Sequence, residues 1–192
     1  MSDFIVKPLD ENTWPDFARL VEKHNGVWGG CWCMAFHEEG APGKRTVAQR
    51  RSDKESRVRE GRAHAALVYD GPNAVGWCQF GPTDELPRIK LKRDYLRGLT
   101  DLPDWRITCF FVDRDYRGQG VASIALEGAL NEITRLGGGT VESYPQDVEG
   151  GPVSGSFLYN GTISIFERQG FQRRRKLGKN HWVVTKVVDG LS

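Results

Sequence analysis

Three features of this 192-residue chain predict an α/β fold with a mixed sheet. Short β-branched and aromatic runs alternate with helical patterns, so strands and helices interleave along the sequence. One run, residues 105–112, passes through a charged turn into a glycine-rich hexad that opens directly into a helix. A strand, a tight glycine loop and a helix N-terminus in that order make an anion site, because backbone N–H groups converge where the helix dipole favours negative charge. The third feature is uniformity: with no internal repeat and no low-complexity tract, residues 1–192 read as one domain, large enough to bury a sizeable core.

Residues 4–9 read as a first strand, closed by Pro8. Thr13 is a candidate N-cap with Pro15 in the first turn, and the helix it starts carries Phe17, Leu20 and Val21 on one face before ending near Asn25-Gly26. Residues 26–37 are rich in Gly and Trp, apolar and without period. Residues 43–62 look helical and strongly basic, which reads as a solvated helix face. Strands follow at 63–69 and 74–80, joined by the turn residues Asp70-Gly71-Pro72-Asn73. Residues 81–104 read as a Pro-punctuated polar connection, and 105–112 as the fourth strand. The helix after the glycine loop shows Ala122, Ala125, Leu126, Ala129, Leu130 and Ile133 at helical spacing and stops at Gly137. A fifth strand at 140–144, a helix over 156–169 and strands at 171–177 and 181–188 complete the order.

A net charge of +2 gives no argument for nucleic acid or an anionic membrane as partner. No apolar run approaches the roughly 20 residues that span a bilayer, and the N-terminus lacks the layout of a signal peptide, so a cytoplasmic location is expected. Four cysteines are too few and too irregular for a disulfide framework. Cys78 and Cys109 lie in apolar strand runs and read as core. Cys31-x-Cys33 with His37 falls short of the usual metal-ligand spacing, so no metal is expected; the segment reads as a pocket wall or as core packing.

The element order, with Arg117-Gly118-Gln119-Gly120-Val121-Ala122 at the fourth strand's exit, resembles the GNAT superfamily of acyl-CoA-dependent N-acyltransferases. That family's loop reads Gln/Arg-x-x-Gly-x-Gly/Ala, and Arg117, Gly120 and Ala122 occupy its fixed places. Phe166-Glu167-Arg168-Gln169-Gly170-Phe171 is similar to its Tyr-x-x-x-Gly-Phe. The resemblance covers most of residues 1–188 by element order and is specific in detail near 105–145 and 157–172. It implies a mostly antiparallel central sheet flanked by helices and splayed between the fourth and fifth strands, with acetyl-CoA as co-substrate. The pyrophosphate would sit on the amides of Gly118, Gln119, Gly120, Val121 and Ala122, with Arg117 adding a side-chain contact. The pantetheine arm would pair with the backbone of Phe110, Phe111 and Val112. Rival phosphate motifs fit poorly: no Lys-Ser/Thr pair follows Gly120, and the loop is central in the chain where a dinucleotide fold has it after the first strand.

Direct N-acylation needs a neutral amine held against the thioester and a proton for the departing thiolate. The family's usual acid, the tyrosine of the Gly-Phe motif, is Phe166 here. Tyr159, two helical turns earlier, is the candidate acid and a cofactor contact, with ring packing as the alternative; Tyr144 is a second candidate. Where many relatives carry a base on the fourth strand this chain has Arg106 and Thr108. Glu142, expected to face the splay, is the candidate base through a water, with a strand-edge ion pair as the alternative. Trp28, Trp32, Cys33, Arg106 and Tyr144 form the expected acceptor site, Arg106 binding an acidic group. The expected activity is acetylation of a primary amine, on a small molecule, by a monomer or homodimer. A non-catalytic acyl-CoA sensor is the rival reading, and a thiol- or metal-responsive protein a third.

Overall fold

Seven strands form one sheet in the order β1-β2-β3-β4-β5-β7-β6 in the computed structural model, which describes residues 3–41, 43, 45–148 and 159–191. The strands are β1 (Ile5–Pro8), β2 (His64–Asp70), β3 (Asn73–Pro82), β4 (Trp105–Val112), β5 (Gly138–Ser143), β6 (Gln172–Leu177) and β7 (His181–Asp189). The helices are α1 (Trp14–Lys23), α2 (Val47–Arg59), α3 (Lys92–Arg97), α4 (Val121–Arg135) and α5 (Ile163–Arg168). Only β4 and β5 pair in parallel; every other neighbour pair is antiparallel. One core packs α1 and the 26–34 segment on Leu67, Tyr69, Trp77, Cys109 and Phe111. The other packs α4 and α5 on Ala66, Val68, Cys78, Phe80, Ile107 and Phe110. None of the described helices is long and apolar enough to cross a membrane.

Several elements differ from their sequence expectations. Thr13 stands at the α1 N-cap, but its hydroxyl donates to Pro8 O at 2.8 Å and accepts from Asp10 N at 2.9 Å, tying strand to helix instead of capping. The basic helix is shorter than 43–62, because a capping box of Thr46 and Gln49 starts it at Val47. Its reading as a solvated face is corrected too: Lys54, Arg57 and Val58 are buried beneath it. The 81–104 connection contains α3, whose six residues are too few to display a period. The expected helix over 156–169 begins at Ile163; residues 156–158 lie outside the described residues. Tyr159 therefore precedes α5 and does not share a helical face with Phe166.

β4 is the strand that positions the site. Trp105, Arg106 and Ile107 pair with Val141, Glu142 and Ser143, after which β4 continues to Val112 beside β3 alone. At this fork the β3–β4 register slips, so that Thr108 has no partner residue, a β-bulge of the kind found beside active sites. Ser143 Oγ donates to Ile107 O at 2.8 Å and Asn160 Nδ2 to Thr108 O at 2.7 Å, which pins the fork open. The extra residue also reverses strand alternation. Ile107 packs toward α4, whereas Cys109 and Phe111, two and four positions on, pack toward α1.

Candidate active site

A cleft of 430 Å³ follows the free edge of β4 through Phe110, Phe111 and Val112 to Arg117, Gly118 and Gly120–Ser123, and reaches Thr162, Ile165 and Arg168 opposite. Among the described residues the backbone amides of 118–122 have no protein partner, whereas those of Ser123 and Ile124 return to Gly120 O at 2.9 and 3.1 Å. Gly118 and Gly120 adopt φ +78° and +83°, and a Cβ at either would meet nothing within 4 Å. Glycine is needed there for the left-handed backbone and for the bare approach it leaves a ligand. Five unpaired amides at the N-terminus of α4, with Arg117 and Arg168 on the rim, fit a pyrophosphate. Gln119 contributes only its amide, since its side chain donates to Asp115 O at 3.1 Å.

Asp113 holds this loop to the body of the fold. Its backbone N–H donates to Val75 O, while its carboxylate takes Lys23 Nζ at 2.6 Å and Asp115 N at 3.2 Å. Burial would raise this carboxyl, but the Lys23 hydrogen bond and the neighbouring donors outweigh it and keep the group below its ordinary value. The end of α1 and the start of the glycine loop are thus joined by a charge-assisted bond.

Trp28 closes one end of the cleft and also borders a second pocket, of 210 Å³, with Cys31, Cys33, Phe36, Lys90, Cys109 and Tyr159. Tyr159 in turn lines a third, of 310 Å³, with Phe36, Leu91, Tyr144, Asn160, Leu177 and His181. The Tyr159 ring meets Trp28 edge-on at 6.3 Å and lies 6.4 Å from Phe36, and Lys90 Nζ sits 3.9 Å from its centroid. Among the described residues no carboxylate lines either pocket.

Behind the second pocket lies a buried polar cluster. Cys33 Sγ and Cys109 Sγ are 3.1 Å apart, and Trp77 Nε1 donates to Cys33 Sγ at 3.3 Å. Lys54 Nζ donates to Gln79 Oε1 at 2.6 Å and meets His37 Nε2 at 3.3 Å, while Gln79 Nε2 donates to Thr108 Oγ1 at the bulge. His37 Nδ1 is 3.0 Å from Glu85 O; a carbonyl only accepts, so Nδ1 carries the proton and Nε2 accepts from Lys54. Burial lowers the Lys54 ammonium to about 8, opposed by the neighbouring thiols. Burial would raise the Cys33 thiol, but the hydrogen bond from Cys109, the Lys54 charge and the Trp77 N–H outweigh it and hold it below its usual value. Cys109 is raised, first by its bond to Cys33 and then by burial.

The backbone delivering Cys33 is unusual. Asn25, Val27, Trp28, Trp32 and Cys33 all have φ between +44° and +54°, a region that costs a non-glycine residue about 1–2 kcal/mol. Turn bonds such as Cys31 N to Val27 O at 2.9 Å and Trp32 N to Gly26 O at 3.1 Å hold the segment there. Such strain in five of nine residues is a feature of functional segments.

The structure brings Trp28, Cys33, Tyr144 and Tyr159 around the two inner pockets and separates the other expected residues from them. Trp32 is core, 2% exposed, 6.1 Å from Trp14 with Arg51 over its ring; it lines neither pocket. Arg106 donates to Leu86 O at 2.8 Å and to Tyr95 OH at 3.2 Å and faces a different cleft, of 610 Å³. Glu142 lies in the paired part of the β4–β5 ladder, opposite Arg106, so it does not face the splay. Its Oε1 accepts from Tyr95 OH at 2.7 Å and Tyr144 OH at 2.6 Å. Sequence reasoning missed Lys54, read as solvated; Cys109, read as core, is buried in the α1-side core and also edges the second pocket. It also missed Lys90 and Asn160, for which the sequence carries no local signal.

Residues 14–145 match the sequence model of the acetyltransferase (GNAT) family. A search of curated proteins finds no match. Among solved structures, one of histone acetyltransferase HPA2 and related acetyltransferase from Corynebacterium glutamicum superposes with a TM-score of 0.56 at 15% identity, over 100% of this chain and 99% of that one. An arylalkylamine N-acetyltransferase-like protein of mosquito gives 0.57 at 11% identity, over 96% and 100%. A Salmonella typhimurium protein with its cofactor acetyl-CoA gives 0.55 at 14% identity, over 97% and 94%. At these identities the likeness is one of fold.

Proposed function

The chain belongs to the acetyltransferase (GNAT) family and draws on acetyl-CoA, and we propose that it acetylates the primary amine of a small acceptor carrying an anionic group. The carrying observation is three neighbouring cavities that share Trp28 and Tyr159 as walls, with Lys90 as the charged wall of the inner two and no carboxylate among their described residues. A polycation would meet no counter-charge there, whereas an amino-acid-like molecule has a partner for its anionic end in Lys90 and apolar walls for its body. The donor occupies the 430 Å³ cleft, its pyrophosphate on the amides of 118–122. Tyr159, at the junction of the inner pockets, is the proposed acid for the departing thiolate. Glu142 acts at one remove: by holding Tyr144 and Tyr95 it positions the acceptor wall. Four free cysteines fit a reducing compartment, and we place the protein in the cytoplasm.

The test is acetyl-CoA turnover across a panel of amino acids, their phenylalkyl analogues and polyamines. Amino-acid-like acceptors are expected to lead, and Lys90→Glu to reverse the order toward cations. A panel led by polyamines sinks the acceptor assignment. Tight CoA binding with no turnover on any amine supports the sensor instead. Tyr159→Phe is expected to lower kcat about 100-fold with unchanged CoA affinity, in the range general acids contribute; unchanged kcat removes Tyr159 as the acid.

A further inference from the structure

The 81–104 connection folds around a cleft of its own. Thr83 N donates to Asp104 O at 3.2 Å and Thr83 Oγ1 to Pro103 O, so the two ends of the connection close on each other beside β3 and β4. The cleft measures 610 Å³, with apolar walls from Pro82, Pro87, Ile89, Leu96, Leu102 and Pro103. That is the size of a small-molecule site. Leu96 and Leu102 are 52% and 62% exposed, an apolar rim left open to water. At the floor stands Arg106, 2% exposed. A guanidinium carries five N–H donors. Arg106 places Nη1 on Leu86 O at 2.8 Å and Nη2 on Tyr95 OH at 3.2 Å, and its buried Nε has no acceptor. Among the described residues no carboxylate pairs with it directly; Glu142 is reached only through the Tyr95 hydroxyl. A buried cation in that state is costly until an anion completes it. Lys92 adds a second cation to the cleft. Of the two aspartates there, Asp104 already takes Thr140 N at 2.7 Å, and Asp84 is exposed to water.

We propose that this cleft is a second ligand site, for a small carboxylate with an apolar body, held by Arg106. A carboxylate matches the plane and fork of a guanidinium, and it supplies the counter-charge that the fold withholds from Arg106. The apolar body lies on the proline and leucine walls and covers the open rim. A cation is the wrong occupant beside Arg106 and Lys92, and a neutral molecule leaves the buried charge unanswered. The site stands apart from acetyl transfer. It shares no lining residue with the donor cleft or the 210 Å³ pocket, and meets the 310 Å³ pocket only at Ile89. The acidic group expected at Arg106 from the sequence therefore belongs to a separate ligand, not to the amine acceptor, and that ligand needs no amine.

The experiment titrates the full chain at neutral pH with butanoate, hexanoate, benzoate and phenylacetate, and with the neutral amide of each. Binding is followed by calorimetry and ligand-observed NMR, with and without saturating CoA. These acids carry no amine and cannot be acetylated, so turnover does not enter the result. The acids are expected to bind about tenfold or more tightly than their amides, because only a carboxylate answers the guanidinium. CoA should leave them in place. Arg106→Gln is expected to remove that preference for acid over amide. Leu102→Asp, at an exposed rim position, should weaken the acids about tenfold as well, and it serves where the Arg106 variant fails to fold. Equal binding of acids and amides overturns the proposal, as does the absence of any bound acid at millimolar concentration. Acids that CoA displaces, or that Lys90→Glu releases while Arg106→Gln and Leu102→Asp keep them, sit in the acetyl-transfer site and overturn it equally. A chain that holds the acids but not CoA leaves this site standing and removes the donor-site reading instead.

Discussion

The donor cleft takes its anion site from a single stretch, residues 113–123, whereas the thiol pocket draws Cys33, Lys54, Trp77 and Cys109 from a strained loop, a helix and two strands. The first is a local device: two left-handed glycines and the start of a helix assemble unpaired amides wherever the stretch occurs. The second exists only after the sheet and both α1-side helices have packed, and its groups are kept polar at the expense of burial. The donor site can therefore be lost by one residue in the loop, and the acceptor site by any change that shifts one wall against another.

The largest effect should come from the local device. Gly120→Glu sets a carboxylate among the amides and asks a non-glycine residue for φ +83°. The backbone alone costs about 1–2 kcal/mol. Because a Cβ there meets nothing within 4 Å, the fold should survive. CoA affinity should fall about 100-fold or more, close to 3 kcal/mol, by calorimetry. A variant with wild-type affinity would refute the placement of the pyrophosphate.

A smaller, opposite signature is expected at the fork. Asn160→Leu removes the 2.7 Å bond to Thr108 O and leaves a carbonyl at the bulge without it, about 1–3 kcal/mol of stability. CoA affinity should stay within about twofold while kcat falls about tenfold, since only the inner pockets lose their wall. Should Asn160→Leu weaken CoA as strongly as Gly120→Glu does, the two regions are one energetic unit and the contrast between them fails.

The same contrast explains what the sequence made readable. The order of elements along the chain and the glycine loop are encoded in period and turn chemistry within a dozen residues, so they could be read, whereas the splay between β4 and β5 followed only from the family resemblance. Thr108 could not be: nothing local marks it as the extra residue of a bulge. Once it is inserted, Cys109 changes faces relative to Ile107 and joins the α1-side core at the edge of the second pocket. Lys54 was invisible for a different reason. In a helix with as little apolar content as α2, a lysine beneath it looks like its exposed neighbours until His37 and Gln79 come up against it from elsewhere. Trp32 erred the other way, since an aromatic beside a functional turn can face the core as readily as the pocket.

The smallest effect tests whether that buried cluster is a single unit. His37 is 1% exposed, and burial first, then the Lys54 and Arg57 charges, keep its imidazole neutral far below its ordinary value of 6.5. In the unfolded chain His37 takes up a proton as pH falls through 6.5, and in the folded chain it does not. The unfolded state then binds more protons, so stability is complete above pH 6.5 and declines on acidification below it. The slope is at most about 1.4 kcal/mol per pH unit for one site, near 1 kcal/mol at about pH 5.5, before the carboxylates titrate. His181, also lowered by burial, adds a slope of the same sign, so the informative quantity is the difference between wild type and His37→Gln. Urea midpoints measured at pH 7.5 and 5.5 (roughly, either side of free histidine) should move less in the variant. An equal loss in both would mean that His37 is protonated in the fold. Its Nε2 could then no longer accept from Lys54, and the buried ammonium would be held by Gln79 alone.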